Sequence, residues 1–270
     1  MNRFQVREGA GQDFEERWAQ RSSSLLEQGG FRWFGLLKRV PPTGAPEDYE
    51  YPDDYSYASF SIWETKHDFT LWRQSPAFKE AHGEGDLLQF VSSFFSGFMT
   101  NKGPPKPAFW HGLLMEKSAE PKSRLVSREA SGDYVEPTLL RPQVFVAMNR
   151  FVVAPGRDKE FEQRWASRES KLREVPGFRF FQLMRRNKVP DDDVNYVSMS
   201  VWDDRDAFDR WRSSDAFKTA HGEVGSRPAG GGGEQPGPRV EAGPMGGMLL
   251  RPPKPYFYEG KLVLESEQGA

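Results

Sequence analysis

The chain has 270 residues, with 37 Lys and Arg side chains against 39 Asp and Glu side chains and no cysteine. This length predicts one or two domains, each able to bury a core. The near-neutral charge, without a basic face or a Lys/Arg-rich run, argues against nucleic-acid and membrane partners, and the lack of cysteine excludes disulfides, thiolate ligands and cysteine nucleophiles.

A long stretch of the sequence occurs twice. Met-Asn-Arg-Phe at Met1–Phe4 returns at Met148–Phe151, and the pattern Trp-Arg-x-Ser-x-Ala-Phe-Lys-x-Ala-His-Gly-Glu stands at Trp72–Glu84 and at Trp211–Glu223. A repeat of this size is too long for a solenoid and suits a domain. The sequence therefore predicts a tandem duplication, with domains at 1–117 and 142–270 and a polar linker at 118–141.

The first copy predicts elements in the order β-α-β-β-α-α-β. Strand Asn2–Val6 alternates, with Asn2 on the face of Phe4 and Val6, and Ser75-Pro76 predicts a break between the two later helices. The other predicted elements are a helix at Asp13–Glu27, strands at Phe31–Arg39 and Tyr55–Trp63, a helix at Lys66–Gln74, a short helix carrying His82, and a strand at Phe109–Met115.

The second copy predicts the same order, which is typical of an α+β domain with an antiparallel sheet and helices on one face. Its predicted elements are a strand at Asn149–Val153, a helix at Lys159–Glu174, strands at Phe178–Arg186 and Tyr196–Trp202, a helix at Arg205–Ser213, a short helix carrying His221, and a strand at Tyr256–Leu264. After each His the copies differ. The aromatic-rich segment Leu87–Met99 follows the first, and the Gly/Pro-rich segment Ser226–Gly247, which we expect to be mobile, follows the second.

Three residue types recur in both copies as candidates for chemistry. An Asn on an otherwise apolar strand face needs a polar partner if it is buried. On an unbroken helix, Trp72 and His82 would lie about 15 Å apart on different faces, so the break allows both to line one cavity. Each also has a structural interpretation, as a satisfied Asn, a core Trp or a capping His. Other Trp and His residues receive structural interpretations alone: Trp18, Trp63, Trp165 and Trp202 in the core, His67 on the surface and His111 on an end strand.

These residues resemble the antibiotic-biosynthesis-monooxygenase superfamily of dimeric α/β barrels, and within it the heme-degrading monooxygenases of the IsdG type. That family carries an Asn on its first strand and a segment of the form W-x-x-S-x-x-F-K-x-A-H. The resemblance implies two ferredoxin-like domains whose antiparallel sheets pack into an intramolecular pseudo-dimeric α/β barrel. The usual family member is a single domain that dimerises, so this chain would be a monomeric pseudo-dimer.

The resemblance also implies the chemistry. Heme would be both substrate and cofactor, with His82 and His221 as axial ligands of the heme iron. Asn2 and Asn149 would donate an amide N–H to dioxygen on the opposite side, and Trp72 and Trp211 would push the macrocycle out of plane. The porphyrin ring would open with release of iron. Electrons would come from an external reductase or small reductant, because nothing in the sequence looks like a flavin or nicotinamide site.

Two other functions stay open from the sequence. One is a cofactor-independent monooxygenase of the same fold, acting on a quinol or an aromatic polyketide. The other is a non-catalytic heme-binding or stress-response barrel. We favour the second copy as the catalytic one, and composition favours a cytoplasmic protein, with an organelle such as the plastid, after transit-peptide removal, as the alternative.

Overall fold

The computed structural model describes residues 1–20, 24–76, 78, 100–125, 143–168, 170–186, 193–215, 217 and 246–269. The chain divides into two compact units, each built from segments that are not contiguous in the sequence. The first unit contains Met1–Phe109, Pro121–Ala147 and Tyr256–Ala270, and the second contains Trp110–Glu120 and Met148–Pro255. No helix in the described ranges is long and apolar enough to cross a membrane.

The first unit is an antiparallel sheet with two helices. Its elements are β1 (Asn2–Phe4), α1 (Gly11–Ala19), β2 (Phe31–Val40), β3 (Tyr57–Trp63), α2 (Lys66–Gln74), β4 (Lys106–Pro107), the first half of β6 (Val144–Phe151) and most of β9 (Lys254–Glu265). The strand order is β4-β1-β3-β2-β9, with β6 next to β9. Phe14 and Leu25 pack on Phe4, Phe34 and Tyr57 of the sheet, and this contact is the centre of the unit's core.

The second unit repeats this plan. Its elements are β5 (His111–Lys117), the second half of β6, α3 (Asp158–Ala166), β7 (Phe178–Arg185), β8 (Tyr196–Trp202) and α4 (Arg205–Arg212). The strand order is β6-β8-β7-β5. All residues of β8 are buried, which explains a nearly continuous apolar sequence from Tyr196 to Trp202. The predicted α+β class with antiparallel sheets is confirmed in both units.

The last strand of each copy pairs with a strand of the other copy. β9, at the end of the chain, runs antiparallel to β2, with Phe34 opposite Leu264 and Val40 opposite Phe257. β5, which follows the first copy, runs antiparallel to β7, with Met115 opposite Gln182. Each compact unit is therefore completed by a strand from the other half of the sequence. The predicted domain bounds follow the repeat in the sequence and do not describe this exchange of strands.

The first helix of each copy is shorter than the sequence predicts. The predicted helix Asp13–Glu27 is observed as α1 followed by a separate 3₁₀ turn at Leu25–Glu27, and the predicted helix Lys159–Glu174 as α3 followed by a 3₁₀ turn at Leu172–Glu174. In the second copy, the Ser170 hydroxyl accepts the Leu172 N–H and starts the new turn. Serine side chains commonly compete with helical backbone hydrogen bonds in this way. The apolar periodicity of the sequence continues through the 3₁₀ turn, so it does not mark where the helix ends.

Candidate functional site

Each unit holds a cluster of five aromatic rings between its sheet and its second helix. The first aromatic cluster is Phe31, Trp63, Phe69, Trp72 and Phe78, and the second aromatic cluster is Phe178, Trp202, Phe208, Trp211 and Phe217. Trp72 contacts three rings of the first cluster, with centroid distances of 5.1 Å to Trp63, 5.9 Å to Phe69 and 4.8 Å to Phe78. The corresponding distances of Trp211 are 5.1, 5.9 and 4.8 Å. The duplication thus preserves a ring arrangement as well as a sequence.

The serine of the repeated Trp-Arg-x-Ser pattern explains how the chain turns after Trp72. Its hydroxyl donates to the Trp72 carbonyl at 2.7 Å and accepts the Phe78 N–H at 3.2 Å. Ser214 does the same between Trp211 and Phe217, at 2.6 and 3.2 Å. α2 ends at Gln74, as predicted, and Ser75 is extended with ψ of 156°. The helix break therefore places the next phenylalanine edge-on against the tryptophan.

The start of the second helix is also fixed by side chains. Thr65 and Asp68 form a capping box at the first turn of α2, and Asp204 accepts the Ala207 N–H at 2.7 Å at the start of α4. Such caps satisfy backbone N–H groups that the helix itself leaves unpaired. The N-terminal cap and the serine hydrogen bonds at the other end together fix the helix that carries Trp72 or Trp211.

Asn2 and Asn149 are exposed, although the strand alternation predicted an apolar, buried face. Asn2 lies at the first position of β1, and Asn149 is the one exposed residue within β6. Asn2 pairs with Ser59, and Phe4 pairs with Tyr57. Directly paired residues share a sheet face, and Phe4 and Tyr57 both contact Phe14 of α1. Asn2 therefore lies on the helix-covered face, as Trp63 does four residues beyond Ser59.

The structure thus brings two of the three predicted residue types to one face of each sheet. Ser59, which pairs with Asn2, and Trp63, which contacts Trp72, are four residues apart on β3. This spacing corresponds to about 13 Å along the strand. In the second unit, Phe151 of β6 and Tyr196 of β8 both contact Phe161 of α3. Alternation along each strand puts Asn149, two residues before Phe151, and Trp202, six residues after Tyr196, on this same face. His82 and His221 lie outside the described residues, as do most residues of the short helices predicted to carry them and most of the segments that follow.

The remaining tryptophans and histidines agree with their structural interpretations. Trp18 stacks on Phe34 at 5.8 Å, Trp165 stacks on Phe181 at 5.5 Å, and Trp202 is completely buried. Trp63 packs in the core and is partly buried. His67 and His111 are exposed. Within the described ranges, no three His, Asp or Glu side chains come together as a metal site.

A polar triad in each unit was not singled out from the sequence. The Tyr57 hydroxyl donates to the Glu15 carboxylate at 2.6 Å, and Lys38 lies 3.1 Å from the same oxygen. The second unit has Tyr196, Glu162 and Arg185, with distances of 2.7 Å from the carboxylate oxygen to both partners. Burial, together with the carboxylate, raises the pKa of both tyrosines. Glu15 and Glu162 stand at the same position of the repeat, and this recurrence is the signal that could have revealed the triads.

The triads hold the first helix onto the sheet rather than serving the aromatic clusters. Glu15 is buried and lies on α1, while its two partners lie on β3 and β2. A buried carboxylate is costly unless it is paired and hydrogen-bonded, and here both conditions are met.

Comparison with known proteins identifies the family. The antibiotic biosynthesis monooxygenase family matches residues 1–84 and 144–223, once in each copy. A candidate monooxygenase from Fusobacterium nucleatum has a similar fold, with a TM-score of 0.58 and 10% identity over 98% of this chain and 92% of that protein. A candidate monooxygenase from Lactobacillus acidophilus is similar with a TM-score of 0.58 and 10% sequence identity, over 100% of this chain and 95% of that protein. Because these two matches cover more than half of the sequence, the chain belongs to the antibiotic biosynthesis monooxygenase family.

Proposed function

We propose that the chain is a heme-degrading monooxygenase that binds heme, uses dioxygen to open the porphyrin ring and releases the iron. One observation supports this function most directly. In each unit, an exposed Asn on the first strand shares a sheet face with a Trp that three aromatic rings hold in place. The family membership supports oxygenase chemistry, and heme as the substrate is the part we add.

The described residues suit a large, flat, mostly apolar ligand. Trp72 and Trp211 are partly exposed, and rings of this kind offer apolar area with little conformational entropy to lose. The Asn amides are exposed and supply polar donors at the other end of the same face. An aromatic wall and a few placed polar groups are typical of small-molecule and cofactor sites.

The proposed role of Asn2 and Asn149 is to donate an N–H where negative charge develops on oxygen. A donor fixed on a strand needs little reorganisation when that charge appears, which is why such donors accelerate reactions. The iron of heme would supply the activation of dioxygen. Trp72 and Trp211 would press against the macrocycle and bias which of its carbons reacts, and their ring contacts would resist the opposing force.

The imidazoles of His82 and His221 are proposed to hold the iron. With no cysteine in the chain, a neutral imidazole is the natural axial ligand among its side chains. The electrons are proposed to come from an external reductase or small reductant.

Aerobic turnover of hemin tests this function. The purified chain would receive hemin and then ascorbate, while absorbance and chelatable iron are followed. The matched variants are Trp72→Phe with Trp211→Phe, compared with Trp18→Phe with Trp165→Phe, which alter stacked core rings outside the aromatic clusters.

We expect the wild type to bleach hemin with release of iron, and the Trp72/Trp211 variant to change the product while the Trp18/Trp165 variant retains it. Hemin that binds without loss of colour would make the protein a heme carrier. Oxidation of a quinol or aromatic polyketide by the heme-free chain, without hemin turnover, would favour the cofactor-independent monooxygenase. Either result contradicts the proposal.

A further inference from the structure

One serine in each unit holds the indole on which the proposed functional tryptophan rests. We infer that Ser61 and Ser200 are positioning residues for Trp72 and Trp211, acting through Trp63 and Trp202. This inference rests on the proposed function, since it concerns the same two sites.

A hydrogen bond fixes the supporting indole. The Trp63 Nε1–H donates to the Ser61 hydroxyl at 3.1 Å, and the Trp202 Nε1–H donates to the Ser200 hydroxyl at 3.0 Å. The serine lies two residues earlier on the strand, so both side chains stand on the same face. An indole nitrogen can only donate, and Trp202 is fully buried, so water cannot take the place of this hydroxyl in the second unit.

The fixed indole in turn defines the plane against which the second tryptophan lies. The ring planes of Trp63 and Trp72 make an angle of 30°, and those of Trp202 and Trp211 an angle of 32°. On another side, Phe31 meets Trp63 edge-on at 5.5 Å, and Phe178 meets Trp202 at 5.3 Å. Rotation of the supporting indole would therefore displace either the phenylalanine or the tryptophan of the site.

The arrangement survives differences between the two second helices. Leu71 on α2 corresponds to Arg210 on α4, and Asp68 to Ala207. Trp63 is partly exposed, whereas Trp202 is buried. Because the serine–indole bond and the ring tilt are retained across these changes, they do not depend on the helix surface around them.

In the proposed reaction, the position of the tryptophan biases which carbon of the macrocycle is oxidised. A loosened support would therefore change the distribution of ring-opened isomers more than it changes heme binding. This distinction separates a positioning role from a general loss of folding.

The test uses three double variants of the full chain. Ser61→Ala with Ser200→Ala removes the acceptor, and Ser61→Thr with Ser200→Thr keeps a hydroxyl. Ser59→Ala with Ser198→Ala is the matched control, because these serines are buried and lie two residues earlier on the same strands. The first readout is the circular-dichroism exciton couplet of the neighbouring indoles without hemin, and the second is the isomer distribution after aerobic turnover.

We expect the alanine variant to lose the couplet and to give a mixture of isomers, and the threonine and control variants to match the wild type. An unchanged couplet in the alanine variant would overturn the inference whatever the substrate is. A lost couplet with the wild-type isomer distribution would also overturn it. If the wild type leaves hemin intact while the couplet behaves as expected, the proposed function fails and the indole support stands.

Discussion

Two asparagines of the second unit show why burial alone does not identify a functional residue. Asn149 is exposed on β6. Asn195 instead accepts the Val153 N–H at 2.8 Å and donates to the Val153 carbonyl at 2.9 Å. The sequence singled out Asn149 through the repeat and the family pattern. It gave no signal for Asn195, whose role depends on a contact 42 residues away.

Alanine at these two positions should have opposite effects. For Asn149→Ala combined with Asn2→Ala, we expect hemin turnover to fall by about 100-fold, the loss typical of one charge-stabilising donor, with the melting temperature nearly unchanged. Asn195→Ala should lower the free energy of unfolding by roughly 1–3 kcal/mol, because it leaves buried backbone groups without partners. Turnover assays and thermal melts check both, and a stability loss for the Asn2/Asn149 variant would contradict the assigned roles.

The buried tyrosines of the two triads predict a dependence of stability on alkaline pH. Burial and the Glu15 or Glu162 carboxylate raise the pKa of Tyr57 and Tyr196 in the folded chain. In the unfolded chain a tyrosine ionises at about pH 10. The stabilising contribution is therefore complete below about pH 10 and is lost as the pH rises above it, because the unfolded state then loses the proton first.

Replacing Tyr57 by Phe should lower the free energy of unfolding by about 1–2 kcal/mol at neutral pH, since the hydroxyl partner of a buried carboxylate is lost. The difference between variant and wild type should shrink above pH 10. Urea unfolding at several pH values measures this, with Tyr49→Phe in the first unit's loop as the control. A difference that is constant up to pH 11 would show that the phenol proton is not the cause.

At the scale of elements, α2 and β8 could be predicted closely from the sequence, whereas β6 begins at Val144 rather than at the predicted Asn149. α2 has the predicted bounds Lys66–Gln74, and β8 has the predicted bounds Tyr196–Trp202. Their signals are local, namely a capping Thr65, the Ser75-Pro76 break and a dense apolar run. The first helices were predicted too long, because the apolar pattern continues into the separate 3₁₀ turn that follows each of them.

One glycine lies before α3 and one after it, and substitutions at the two positions distinguish the effect of backbone strain from the effect of helix packing. Gly156 has φ of +80° with open space around it, whereas Gly177 has φ of +83° and lies against Ala207 of α4. We expect Gly156→Ala to destabilise by about 1 kcal/mol through the left-handed backbone alone. Gly177→Ala adds a steric clash, for a total of about 2–4 kcal/mol.

Gly177→Ala should also displace the helix that carries Trp211, so it should weaken the exciton couplet while Gly156→Ala leaves it intact. Chemical denaturation and circular dichroism measure the two effects. Equal destabilisation by both substitutions would contradict the close contact between Gly177 and α4.

At the scale of the whole molecule, the exchange of last strands could not be predicted from the sequence. The pattern of Tyr256–Leu264 indicates a strand but not its partner, because its own copy and the other copy offer similar apolar strands. β9 in fact pairs with β2, more than 200 residues earlier in the chain. Such pairing depends on contacts across the chain, which periodicity does not encode.

The exchange predicts that neither half of the chain is complete. A fragment of residues 1–125 would lack β9, and a fragment of residues 126–270 would lack β5, leaving β2 and β7 with unpaired edges. Such edges promote association. We therefore expect each fragment alone to self-associate or remain partly unfolded, and the two fragments together to give one species with a cooperative melt. Monomeric, cooperatively melting fragments would contradict the observed strand pairing.

A hemin titration followed by visible absorbance tests most directly whether the two repeated sites act on heme. The titration would use the wild type, His82→Ala, His221→Ala and the double variant, followed by ascorbate under air. We expect a saturable Soret band that decays with release of iron in the wild type, and no such band in the double variant. The single variants identify the working copy. A band that is absent, or that is the same in all four proteins, would contradict the heme-degrading function.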